Sequence, residues 1–106
     1  MSFVTEIYKI SKQFPNDENF GLTSQIRRSS VSIPSNIAEG FGRQGLGDYI
    51  RFLNIAIASL FELQTQLEIS FNLSYISKEK FDELYELSRE IERMLSSLIR
   101  KLKEKR

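Results

Sequence analysis

Residues 49–71 read YIRFLNIAIASLFELQTQLEISF, and the spacing of their apolar side chains decides the fold class. Tyr49, Leu53, Ala56, Leu60, Leu63, Leu67 and Ser70 alternate steps of four and three, the repeat of one face of an α-helix. Ile50, Ile57 and Phe61 line an adjoining stripe. With Phe52 and Phe71 the apolar arc covers roughly half the circumference, wider than the ~100° that a single core contact requires. The helix should therefore bury two faces, with Arg51, Ala58, Glu62 and Gln66 left on the side open to water.

Working toward the C-terminus, YISKEKF supplies a turn with Ser77 placed to cap the next helix. Phe81, Leu84, Ser88, Ile91, Leu95, Leu98 and Leu102 then sustain a three-four repeat. Working toward the N-terminus, Gly40, Gly42, Gly45 and Gly47 are expected to supply left-handed residues for a helix end and a turn, and Asp48 to charge the following helix start. Further upstream, Leu22, Ile26, Ser29, Ile33, Ile37 and Gly40 form one stripe that runs through Pro34. Pro34 has no N–H for the Ser30 carbonyl and its ring crowds that group, so a kink is expected there. The hydroxyls of Ser29, Ser30 and Ser32 are placed to take up the released carbonyls. The first run, Phe3, Ile7, Ile10 and Phe14, is ended by Pro15, and the polar residues after it can cap a new helix.

The helices are thus expected near residues 2–14, 20–43 (kinked near 34), 47–74 and 77–104. No stretch alternates apolar and polar residues as a strand would, and the connectors are short, so consecutive helices should pack antiparallel. The expected fold is all-α: one domain, 1–106, forming an antiparallel up-down-up-down four-helix bundle.

Composition narrows the chemistry. The chain has no cysteine and no histidine, which removes disulfides, thiolate nucleophiles, imidazole acid–base work and most zinc sites. No cofactor, metal or catalytic residue is expected, and an enzymatic role would need Glu39 or Glu62 in a cleft with a raised pKa. The most apolar run, FLNIAIASLF, has ten residues, about half of what crosses a bilayer, and the start MSFVTEIYKI lacks the features of a secretory signal. A cytoplasmic protein is the expectation.

Fifteen bases against fourteen acids leave a net charge of +1, so charge placement matters more than the total. The tail carries Arg100, Lys101, Lys103, Lys105 and Arg106, and a thinner set comprises Arg27, Arg28, Arg43 and Arg51. These are the candidate nucleic-acid-binding residues. No aromatic side chain is interleaved with the arginines as a stacking platform, so base recognition is not expected. Helical spacing also places Arg28, Ser32, Ser35 and Glu39 opposite the core direction, with Asn36 nearby, as a candidate polar docking surface in which Arg43 can pair with Glu39.

The segment FGLTSQIRRSSVSIPSNIAEGFGR, followed by DYIRFLNIAIASLFELQTQL, resembles the four-helix-bundle proteins encoded in intervening sequences of bacterial large-subunit ribosomal RNA genes. The resemblance spans roughly Val4 to Ile76, and its most specific part is the RR…SIPSNIAEG…R stretch joined to YIRFL. It implies kinship with the accessory variability protein of diversity-generating retroelements. It also implies a homopentamer of four-helix protomers, and by analogy a partner such as a reverse transcriptase. Similar proteins begin about three turns earlier, so the resemblance implies a short first helix here. A ring would multiply each basic cluster. Two functional readings follow: a non-enzymatic oligomeric accessory protein that binds nucleic acid, RNA foremost, through basic surfaces, or a protein–protein scaffold without such binding.

Overall fold

The computed structural model describes residues 2–105, so Arg106 lies outside the described residues. The order is α1 (Ser2–Ser11), a short 3-10 turn (Asn16–Glu18), α2 (Leu22–Phe41), α3 (Leu46–Asn72) and α4 (Lys78–Glu104), and no strand occurs among the described residues.

The α1 stripe is set inward as its spacing requires, with Phe3, Ile7 and Ile10 all buried. The helix ends at Ser11, short of Phe14, because the following amides bond three residues back: Gln13 to the Ile10 carbonyl and Phe14 to that of Ser11. This tightened turn still delivers Phe14 to the core, where its ring lies 5.3 Å from that of Tyr75. Glu18 then serves two partners. Its carboxylate accepts the first amide of α2, from Leu22, at 3.2 Å and the Tyr75 phenol at 2.9 Å. Donating to that carboxylate raises the Tyr75 pKa above the ordinary tyrosine value, with burial and the charges of Glu18 and Asp17 acting in the same direction.

Two apolar clusters fill the interior. One draws on all four helices, from Phe3 and Ile7 through Ile26 and Ile33 to Leu60, Leu63, Leu67 and Leu84. The other joins Ile50, Leu53 and Ala56 of α3 to Leu95 and Ile99 of α4, with Ile37 of α2 against them. Across α2 and α3, Ser32 meets Ser59 and Gly40 meets Phe52, so residue numbers rise in one helix as they fall in the other. Gln64 likewise reaches Ser88 and Glu92 on α4, a bonded polar contact within an apolar seam. The two faces of α3 are therefore used within the chain: one lies on α2, and the stripe with Ile50 and Ile57 lies on α4.

Several expectations change. Gln66 is buried, because the α2-facing side of α3 extends round to it, and its Oε1 has no partner among the described residues. No described glycine has a positive φ; the left-handed residue is Ser74, at 64°, in the turn after α3. Gly40 is required for space instead, since a Cβ there would sit 2.8 Å from Phe52 Cβ and 3.1 Å from Tyr49 Cδ1. Helix α2 continues from Leu22 to Phe41 with Pro34 inside it, so the proline does not end the helix. The serine hydroxyls upstream do not serve the carbonyl that Pro34 frees: Ser30 donates to the Arg27 carbonyl and Ser32 pairs with Ser59. Ser77 caps α4 as expected, accepting from the Lys80 amide at 3.1 Å.

Gly40→Ala should destabilise the protein. Overpacking against the base of a side chain costs about 1–3 kcal/mol, and the gain in helix propensity, at most about 1 kcal/mol in a helix interior, is smaller in the last turn. A urea midpoint unchanged or raised in the variant would contradict the close approach.

Candidate nucleic-acid interface

At one end of the molecule the C-terminal turns of α4 lie beside the start of α3. Lys103 lines one groove with Gly47, Ile50 and Arg51, and a second with Ile57, Ile99 and Arg100. The end of α2 joins them through the Gly40 contact and brings Arg43. The Arg43 guanidinium carbon lies 4.9 Å from the Phe52 ring centroid, and that of Arg51 lies 4.5 Å from the same ring. One half-buried aromatic thus positions two cations, one from the turn after α2 and one from α3.

The segments that meet at this end carry six bases, Arg43, Arg51, Arg100, Lys101, Lys103 and Lys105, against three acids, Glu39, Asp48 and Glu104. Arg43 pairs with Glu39 at 2.8 Å and Arg51 with Asp48 at 3.7 Å, both on the surface, where such pairs contribute about 0.2–1 kcal/mol and yield readily to a competing anion. Lys101 and Lys103 also complement the negative end of the α4 dipole.

Arg27 and Arg28 do not join this group. Arg27 is committed to holding α1: Nε donates to Ser11 Oγ at 2.8 Å, Nη2 to the Tyr8 carbonyl at 3.4 Å, and the cation lies 4.8 Å from the Tyr8 ring. Arg28 is exposed beside α3. The polar strip divides as well. Ser35 and Glu39 face solvent, whereas Ser32 and Asn36 turn toward α3: Ser32 Oγ lies 2.8 Å from Ser59 Oγ, and Asn36 Nδ2 donates to the Ser32 hydroxyl and carbonyl. Glu39 and Glu62 are exposed. Among the described residues no group of acidic side chains is placed to hold a metal, and no helix is long and apolar enough to cross a membrane.

Phe52 is the residue that sequence reasoning missed. It neighbours Arg51 in the chain, but the approach of Arg43 depends on how the glycine-rich turn folds back. The ring carries two arginine cations, so an aromatic group does lie among the arginines, occupied by them.

A family model described as 23S rRNA-intervening sequence protein matches residues 1–97. A solved structure, that of a protein with unknown function from the S23 ribosomal protein family of Bacteroides thetaiotaomicron VPI-5482, is similar at 32% identity. The match covers 92% of each chain with a TM-score of 0.86. No curated protein matches.

Proposed function

Because the chain belongs to the 23S rRNA-intervening sequence protein family, we propose that it is a non-enzymatic cytoplasmic accessory protein that binds nucleic acid, RNA foremost. In this reading antiparallel up-down-up-down protomers assemble as a homopentamer, and the basic end of each contacts phosphates.

The observation that carries the binding claim is the convergence of Arg51 from α3 with Arg100 and Lys103 from α4, beside Arg43. Phosphate contacts by such a cluster are electrostatic and sequence-tolerant, so affinity must fall with salt. Titration of structured RNA should show log affinity declining linearly with log salt, by about 10³–10⁵ between roughly 50 and 200 mM when six or more phosphates are neutralised. Undetectable binding at the lower salt would defeat the proposal.

Assembly is supported by exposed apolar side chains on α2 and α4. On α2, Arg27, which bonds to α1, is followed at helical spacing by Val31, Pro34, Ala38 and Phe41. On α4, Lys80, which lies 3.8 Å from Glu6 of α1, is followed at steps of seven by Leu87, Met94 and Lys101. Phe41 is 77% and Met94 71% exposed. A second copy that covers these side chains removes apolar area from water. Light scattering is expected to show an assembly that Met94→Glu dissociates without loss of helix, and a 12.4 kDa species for the unaltered chain would overturn it.

The ion pairs of Arg43 and Arg51 with Glu39 and Asp48 favour a second reading, a protein–protein scaffold without nucleic-acid binding, with a reverse transcriptase as the kind of partner that the family resemblance implies. Partners recovered after nuclease treatment, from a protein that shifts no RNA, would select it.

A further inference from the structure

On the side of α2 away from Val31 and Phe41, the seam with α3 holds a cavity of about 150 Å³. All six residues that line it are polar: Gln25, Arg28, Ser29 and Ser32 from α2, Ser59 and Glu62 from α3. Its hydrogen-bonding capacity is largely unspent. Asn36 donates to Ser32 Oγ, and Ser32 and Ser59 share one bond, so one of those two hydroxyl protons has no acceptor in the pair. Ser29 is 95% buried and its hydroxyl makes no bond with a described residue. Arg28 and Glu62 carry opposite charges on the rim of one small cavity, yet no ion pair or hydrogen bond joins either of them to any described residue. A guanidinium, a carboxylate, an amide and hydroxyls therefore face a common space, with the guanidinium on the α2 wall and the carboxylate on the α3 wall.

A cavity near this volume takes one six-membered ring. The ring that suits these walls is flat and neutral, with acceptors for Arg28 and an amine for Glu62. Cytosine presents this on its Watson–Crick edge: O2 and N3 accept, and the exocyclic N4 amine donates. Uracil replaces the amine by a carbonyl oxygen, which a carboxylate repels, and a purine adds a second ring. We propose that the α2–α3 seam binds an unpaired cytosine base, held by Arg28 and the serine hydroxyls on its acceptors and by Glu62 on its amine. The choice of a nucleobase rests on the nucleic-acid reading, but the site is separate from the basic end and binds without phosphates.

The full-length protein is titrated with cytidine and uridine, and with short oligocytidylate and oligouridylate. Cytidine is expected to shift the amide resonances of residues 25–32 and 59–62, and the cytosine ligands to bind about 5–150-fold tighter than their uracil counterparts, the range of one good base-edge pair. Glu62→Gln, at an exposed position that leaves the fold intact, should abolish that preference while retaining salt-dependent RNA binding. Oligocytidylate much tighter than cytidine marks a base within a strand as the ligand, and equal affinities mark the free nucleoside; both support the site. RNA binding with equal affinity for the two oligomers and no cytidine-induced shift would overturn the cytosine site and leave the phosphate reading standing. Cytidine binding without RNA binding would do the reverse.

Discussion

Replacing Arg51, Arg100 and Lys103 together by glutamate is expected to lower RNA affinity roughly 10²-fold or more near 0.1 M salt, and to flatten the salt dependence by about two to three in slope. The three side chains are exposed, so removing them withdraws charge and little packing. Arg51 and Lys103 line one groove and Arg100 and Lys103 the next, which makes them one electrostatic surface. Circular dichroism should remain unchanged, separating lost binding from lost structure. The same reversal at Arg28 should leave the slope for structured RNA nearly intact, because Arg28 belongs to the α2–α3 seam. Undiminished RNA binding by the triple variant would place the phosphate contacts elsewhere.

Leu60→Ala should cost about 2–5 kcal/mol, a large share of the roughly 5–15 kcal/mol that stabilises a domain of this size. Leu60 is fully buried in the cluster that draws on all four helices. Its neighbourhood is held by helices already in close contact at Ser32–Ser59, so collapse onto the lost volume is restricted. Urea unfolding should show a lower midpoint at an unchanged slope. A loss below about 1 kcal/mol would mean that the seam can close over the cavity.

The number and rough extent of the helices were legible in the sequence because burial on one side imposes a period of three to four residues, and α1 to α4 all keep it. Boundaries were less so: α1 ends at Ser11 although Phe14 continues the stripe, since a 3-10 turn can deliver a side chain to the same core. The glycines of the α2–α3 turn suggested left-handed backbone, whereas the conformation fell to Ser74 and Gly40 is set by distance to Phe52. The candidate interface was legible only as a roster of bases. Arg27 proved to be a tie to α1, and Ser32 and Asn36 turned toward α3, because helical phase gives the direction away from one core and not the position of a second neighbour.

By itself, the sequence determined that this protein is all-α, which helix faces are apolar, and that no thiol or imidazole chemistry is available. Those properties follow from residue type and from periodicity along one chain. Tertiary structure alone decided that Arg43 and Arg51 share Phe52, that Lys103 lies beside Arg51, and that Arg28 and Glu62 face one cavity unpaired. Each of these juxtaposes residues from different helices or across a turn. The relative phase and height of packed helices are set by how side chains interdigitate, here by close approaches such as Gly40 to Phe52, and not by the period of any one helix.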